Sequence, residues 1–355
     1  MELVIDPQTI AAVVADLGAP PYRTRQIYRA LTRDLVTEFA EITTLPTDLR
    51  ATLSTRLRPA SLTPSLHQKS EDSKTQKTLF HTHDGLAVEA VLIRSGARAT
   101  VCISTQVGCA VGCAFCASGR TGLRRGLSAE EMVDQVLHYA RTLRDLSSGH
   151  ITNVVFMGMG EPFHNYEETL RACRLLNDPD GFHLAARAMS LSTAGVVPGI
   201  ERLAGEPLQL NLAVSLHAGT DALRDSLVPL NHTYPLDAVF AACERYVMRT
   251  NRKVMFEYVV LPGVNDTAVQ MDALTQRLRA PLYHLNLIAY NETGERFARP
   301  SHAHLLRLCA RFLDAGVSCT VRHSPGRGIE AACGQLARRE LISDTSVRAE
   351  NSPRA

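Results

Sequence analysis

From residue 105 onward, apolar strand-like runs alternate with mostly helical segments, and this rhythm restricts the fold more than any other feature. The runs lie at 151–157, 189–193, 209–216, 253–261, 283–289 and 317–322, with 101–105 ahead of them. One intervening segment, 128–144, opens with the capping box formed by Ser128 and Glu131. Such repetition predicts an α/β fold with a largely parallel sheet or barrel. Ligands of these folds gather at the carboxyl ends of the strands. The 355 residues leave room for about two structural units.

Ahead of the alternation, residues 1–60 read as helical. Asp6 caps a first helix with Pro7 at its opening position, and Gly18 supplies a stop. Residues 22–33 combine helical spacing with Arg23, Arg25, Arg29 and Arg33, which suits a solvated face or an RNA-facing one. Leu45-Pro46-Thr47-Asp48 begins a third short helix. From 74 to 105 the pattern alternates, with hairpin signals at Asp84-Gly85 and Ser95-Gly96. Glu89 sits among apolar residues of one such strand, which fits either a solvated face or a carboxylate aimed into a site. The expected units are an N-terminal helical, RNA-contacting domain at 1–73 and a β-hairpin extension at 74–100. A barrel at 101–340 and a polar tail at 341–355 follow.

With 45% hydrophobic and 21% charged residues, wholesale disorder is excluded. The balance of 38 basic and 36 acidic residues neither demands nor excludes nucleic acid, so any basic contact surface is local. No tryptophan and 5% aromatics argue against an extended base-stacking platform. No apolar stretch approaches the roughly 20 residues needed to span a bilayer. The opening Met1-Glu2-Leu3-Val4-Ile5-Asp6 is acidic and short, unlike a secretory signal. Nine cysteines, three crowded into eight residues, argue against a disulfide framework and for a reducing cytoplasm.

Those three are Cys109, Cys113 and Cys116, with Gly108 and Gly112 permitting a tight path. Clustered soft ligands on one loop hold three irons of a four-iron cluster and leave the fourth iron for a substrate or cofactor. The competing assignment is a structural zinc site, which needs four ligands and would recruit Cys102 or a histidine. Gly158-Met159-Gly160-Glu161-Pro162 follows the next strand, its glycines admitting a ligand to the backbone. One strand after an iron-binding loop, it fits the amino-acid end of S-adenosylmethionine, with Glu161 facing an ammonium group. Later strand ends carry Ser192, Ser215-Leu216-His217 and Asn286 through Asn291, each a turn residue or a ligand. Cys173, Cys243, Cys309 and Cys319 read as core packing, whereas Cys333 lies between small residues where a thiol is accessible.

The cysteine loop, the 158–162 turn and Ala331-Ala332-Cys333-Gly334-Gln335-Leu336 occur in one order and at familiar separations. Together they resemble the RlmN/Cfr family of radical S-adenosylmethionine adenine methyltransferases that act on RNA. The match runs from about Pro20, through Tyr22-Arg23-Thr24-Arg25-Gln26-Ile27, to Leu336. The resemblance implies a partial (β/α)6 barrel behind a small N-terminal domain, a 4Fe-4S cluster on Cys109, Cys113 and Cys116, and S-adenosylmethionine. Gly160, Glu161, Ser192, Ser215, Leu216, His217 and Asn291 would contact that cofactor. Cys333 would carry the methyl group, Cys102 would resolve it through a transient disulfide, and Glu89 would accept the ring proton. Implied partners are large-subunit ribosomal RNA, also transfer RNA, and an external electron donor. Arg120, Arg124, Arg125, Arg322, His323 and Arg327 flank the motifs and would meet phosphates. Arg327-Gly328-Ile329-Glu330 stands where family members often carry acidic residues. The stretch after Cys116 is closer to the Cfr side and the proline of Gly160-Glu161-Pro162 to the RlmN side; C2 of adenine is the expected target, with C8 the alternative.

Overall fold

The computed structural model describes residues 2–3, 6–147, 149–293, 297–322 and 326–336; the expected tail at 341–355 and His323 lie outside them. Helices Pro7–Asp16, Tyr22–Thr32 and Thr47–Arg56 share a small core built on Ile10, Val13, Ile27, Tyr28, Leu31 and Leu53. The Asp6 carboxylate accepts from the Thr9 backbone N–H at 3.1 Å, and Gly18 turns the chain at φ +62°.

One ten-stranded sheet organises the rest. Its parallel part runs Arg98–Cys102, Asn153–Phe156, Met189–Thr193, Asn211–Ser215, Val254–Val260, Tyr283–Ala289, Cys319–Arg322, in chain order across the sheet. Because neighbours in sequence are neighbours in space, right-handed crossovers place the connecting helices on one face. These are Ala129–Asp145, Tyr166–Asn177, Val197–Ala204, the pair Asp221–Leu227 and Leu236–Thr250, then Ala268–Arg277 and His302–Asp314. Six strand–helix units thus precede a closing strand, the mixed α/β radical-SAM architecture expected.

Alternation along the strands separates two environments. Leu212, Val214, Val254, Phe256, Tyr258, Leu285 and Leu287 are buried in the apolar core. The intervening positions form a polar row, since register sets Ser215 beside Glu257, Glu257 beside Asn286 and Asn286 beside Thr320. Thr320 Oγ1 donates to Asn286 Oδ1 at 2.8 Å, and Asn286 Nδ2 donates to Glu257 Oε1 at 2.8 Å. These positions share the face that the connecting helices do not cover, the lumen of the barrel, where the apolar Val259 and Ile288 also lie.

Antiparallel strands extend the sheet beyond Arg98–Cys102 through both expected hairpins. The extension starts earlier than residue 74, because Thr63–Lys69, inside the stretch read as helical, pairs with Thr75–His81. This edge strand is exposed along nearly all its length and so lacks the apolar alternation that marks a strand in sequence. Among the described residues no helix is long and apolar enough to cross a membrane.

Asp134 joins the N-terminal part to the barrel. From helix Ala129–Asp145 its buried Oδ2 accepts the backbone N–H groups of Ser61 at 2.7 Å and Leu62 at 2.9 Å. Asp134→Ala leaves both buried donors without an acceptor, at about 1–3 kcal/mol each. Denaturant unfolding of that variant should show a loss of about 3 kcal/mol, and Asp134→Asn, which keeps a carbonyl acceptor, should recover part of it.

Candidate active site

The first parallel strand leads into a clamp. Buried Gln135 accepts from Ser104 N at 2.8 Å and donates to Ser104 O at 3.1 Å, fixing the chain at the strand end. Gln106–Gly108 then pairs with Leu123–Gly126, and the loop between them carries the three clustered cysteines. Gly108 has φ +76°, and a Cβ there would lie 1.8 Å from the Gly122 carbonyl oxygen, so only glycine permits this closure. Val111 and Phe115 seat the loop on Ala194, Leu227, Val228, Val259, Leu261 and Tyr290. Backbone bonds from Ala114 N to Leu227 O (3.0 Å) and Cys116 N to Cys113 O (3.1 Å) fix its course.

All three thiols are free and half-buried. Burial pushes Cys109 up to about 12 and Cys113 well above the usual thiol range, with Cys116 adding to both. Each sulfur therefore lies within the field of another, in a site that strongly prefers neutral thiols until cationic metal arrives. Among the described residues no three His, Cys, Asp or Glu side chains are gathered as ligands of a single metal ion. Three soft donors with one corner left over fit an iron–sulfur cluster, one sulfur per iron.

Beside this loop, Gly160 adopts φ +101°, and a Cβ there would come within 2.6 Å of Gln106 Cβ. The neighbouring Glu161 is buried, its Oε2 accepting from Ala194 N at 2.7 Å and its Oε1 from Phe163 N at 3.0 Å. Burial lifts its pKa to about 7 against the pull of those bonds. The carboxylate thus ties two strand-end loops together, beyond the ligand role expected of it. His217 does similar work. With φ +61° and its ring buried, Nδ1 accepts from Val259 N at 3.0 Å, and the ring meets Phe115 edge-on at 4.6 Å. Burial drives its pKa down to about 3, so the imidazole is neutral. Leu216 is fully buried, and Ser192 and Ser215 are half-buried at the ends of their strands.

Cys333 rides on a segment fastened to the cysteine loop itself. Gly334 O accepts from Ala117 N at 2.8 Å, and Leu336 O accepts from Ser118 Oγ at 3.2 Å. Asn291, buried, donates to Cys333 O at 3.2 Å and accepts from Arg299 at 2.6 Å. Cys333 is a free cysteine and is exposed. Desolvation there pushes it up to about 12, helped by Cys116, Cys102 and Glu257. Cys102 is a free, half-buried thiol, also raised to about 12 by desolvation.

Register gathers the remaining candidates. Lys77 pairs with Val91 and Val91 with Cys102, so these share a face, and Glu89, two residues from Val91, joins them. Lys77 Nζ lies 2.9 Å from Glu89 Oε1 and donates to Glu330 O at 3.3 Å, bridging that face to the Cys333 segment. Sequence reasoning missed Lys77, whose only signal was its place in an alternating strand opposite that of Glu89. It also missed Glu257 and Arg224.

The basic residues divide. Arg125 is held by Glu131 (2.7 and 2.8 Å) and Asp84 (2.7 and 2.9 Å), which corrects its expected role as a phosphate contact. Arg120 donates to Thr293 O. Arg124, Arg322 and Arg327 are exposed at this end. On the second helix Arg23 bonds Gln26 and Thr44 O, Arg25 pairs with Asp180 at 2.6 Å, and Arg33 is exposed.

Comparison with known proteins agrees with this geometry. The Radical SAM superfamily model matches residues 103–275. A Chloroflexus aurantiacus protein named probable dual-specificity RNA methyltransferase RlmN is 44% identical, the match covering 94% of this chain and 91% of that one. A protein of the same name from Thermobifida fusca is 43% identical, with 94% and 93% covered. The crystal structure of a radical SAM methyltransferase from Sphaerobacter thermophilus superposes with a TM-score of 0.92 at 47% identity, over 96% of this chain and all of that one. The chain therefore belongs, within the radical SAM superfamily, to the RlmN family of methyltransferases, enzymes that use a 4Fe-4S cluster and S-adenosylmethionine.

Proposed function

We propose that this enzyme methylates an adenine carbon, C2, in large-subunit ribosomal RNA and in transfer RNA, through a methyl group carried on Cys333. The observation that carries the reading is that the Cys333 segment is fastened both to the cysteine loop, through Ala117 N and Gly334 O at 2.8 Å, and to the face bearing Glu89 and Cys102, through Lys77 and Glu330 O at 3.3 Å, which leaves Cys333 under the influence of Cys116 and Cys102. The relatives' shared name, probable dual-specificity RNA methyltransferase, supports RNA as the substrate. Three cysteines crowded into eight residues, a pattern suited to metal rather than to a disulfide framework, support work in the reducing cytoplasm.

Cys109, Cys113 and Cys116 would hold the cluster, and Gly160, Glu161, Ser192, Ser215, Leu216, His217 and Asn291 would frame S-adenosylmethionine. Cluster and cofactor together supply the radical that activates an otherwise inert methyl group. The chain's own residues handle the rest. A thiol raised to about 12 must lose its proton before it accepts a methyl group, and the accessible Cys333 is placed to do so. The Cys333 methyl group would give up one hydrogen atom to the radical and its carbon would bond to the ring carbon. Glu89, held at 2.9 Å by Lys77 on the same face, would then take the ring proton while the surplus electron returns to the iron–sulfur centre. The Cys102 thiolate then attacks the Cys333 sulfur. An S–S bond forms, the sulfur–carbon bond to the modified base breaks, and the carbon keeps the electron pair and gains a proton. An external thiol or electron donor must then reduce the disulfide. The target is an unpaired or flipped adenine, because a stacked ring edge is out of reach. Exposed Arg124, Arg322 and Arg327 would position the RNA through phosphates.

Cys333→Ala should abolish methylation while leaving iron and sulfide content at the wild-type level, as measured on anaerobically purified protein. Cys102→Ala should instead accumulate protein covalently joined to RNA, visible as a shifted band sensitive to ribonuclease. Freely released methylated RNA from that variant would remove Cys102 from the scheme. Mass spectrometry of nucleosides, after anaerobic reaction with ribosomal and transfer RNA, should find 2-methyladenosine in both. Finding 8-methyladenosine would overturn the assigned carbon.

A further inference from the structure

Arg224, on the short helix Asp221–Leu227, is completely buried, unlike every other arginine among the described residues. Its five N–H donors all find acceptors, and every acceptor is neutral. Nε donates to Leu216 O at 3.0 Å, one terminal nitrogen to Asn231 Oδ1 at 2.9 Å and Tyr234 O at 3.5 Å. The other donates to Ala194 O at 2.6 Å and Ser215 O at 3.0 Å. Hydrogen bonding is satisfied, yet the charge has no carboxylate in contact. Burying a cation this way is costly unless something nearby is negative.

The helix that carries Arg224 docks on the cysteine loop, its Leu227 carbonyl accepting from Ala114 N at 3.0 Å while Leu227 and Val228 pack with Val111, Cys113 and Phe115. Among the groups that favour the charged guanidinium Cys113 comes first, ahead of Asp221 and Asp225. Its acceptors are equally pointed, because Ala194, Ser215 and Leu216 are the ends of the strands flanking the proposed cofactor site. Asn231, which shares Arg224, also donates to Asp225 at 2.7 Å, so the cation is braced on two sides.

We propose that Arg224 is the built-in counter-charge of the cysteine loop, a positioning residue that raises the reduction potential of the cluster and fixes the strand ends around S-adenosylmethionine. The proposal rests on Cys109, Cys113 and Cys116 being the cluster ligands. Three thiolates outweigh the charge of an oxidised four-iron core, and reduction adds one more electron. A fixed positive charge in a poorly polarisable interior stabilises the reduced form more than the oxidised one. A neutral side chain of similar length would fill the space but would leave the loop more negative and harder to reduce.

The test is a redox titration of the full-length, anaerobically reconstituted protein, followed by electron paramagnetic resonance, with iron and sulfide counted per chain. Arg224→Met should bind the wild-type amount of iron and show a more negative midpoint potential. Arg224→Lys keeps the charge but cannot reach all five acceptors, so its potential should stay near wild type while S-adenosylmethionine binds more weakly. Asp225→Asn removes a nearby negative charge without changing shape and should raise the potential, less strongly because Asp225 is partly in solvent. An unchanged potential in a fully loaded Arg224→Met, or a lysine variant as low as the methionine one, overturns the proposal. If Arg224→Met does not fold, Asp225→Asn decides, and a potential at or below wild type overturns it. Cys113→Ala separates this from the ligand assignment: a variant with wild-type iron content and spectrum would sink that assignment, whatever Arg224 does.

Discussion

Seven parallel strands stop at one rim, and the peptide groups they leave there must find partners away from water. Nearly every buried polar side chain near the site answers that demand. Glu161 collects the N–H groups of Phe163 and Ala194. Asn265 accepts from Leu261 N at 2.7 Å and donates to Val259 O at 2.7 Å and His217 O at 2.9 Å. Arg224 caps carbonyls on two neighbouring strand ends, and Gln135 closes both sides of Ser104. An unmade bond at any of these positions would cost about 1–3 kcal/mol. The rim is therefore rigid because its backbone is saturated, and a rigid rim is what a reaction needing exact placement requires.

Saturation also separates residues that frame the site from residues left available within it. Glu161, His217 and Asn291 were expected as ligands, and each has side-chain atoms engaged with protein. What they can offer a cofactor is a fixed backbone surface and their remaining lone pairs. Ser192 and Ser215, by contrast, stand half-buried at the lumen. Glu257 gives one oxygen to Asn286, and among the described residues its other oxygen has no hydrogen-bond partner.

Much of this architecture is legible in the chain. The β/α rhythm set the sheet, the turns at Asp84-Gly85 and Ser95-Gly96 set the extension, and the spacing of Cys109, Cys113 and Cys116 marked the loop. The failures share a physical origin. Thr63–Lys69 is an exposed edge strand, so nothing forces apolar alternation on it. Arg125 resembled a free cation, although Glu131, whose capping role was readable, also binds it. Arg224 sits in a short, charge-rich helix that reads as solvated, and its burial is created by strands far away in sequence. Lys77 and Glu89 are twelve residues apart on adjacent strands, and only the register shows that they touch.

The attachment of the Cys333 segment links the two halves of the chemistry. Its backbone is hydrogen-bonded to Ala117 and Ser118, directly after Cys116, while Lys77 holds Glu330 from the extension. None of these bonds is part of the ladder of the large sheet. Cys333 is thus located by the loop of Cys109, Cys113 and Cys116 and by the strands that bear Glu89 and Cys102. Because loop contacts depend on the loop's own course, distortion at Cys116 would displace Cys333 as well. In the proposed scheme, metal binding and presentation of the methyl-accepting sulfur would consequently share one structural element, which keeps the thiol in place only when the loop that must act with it is in place too.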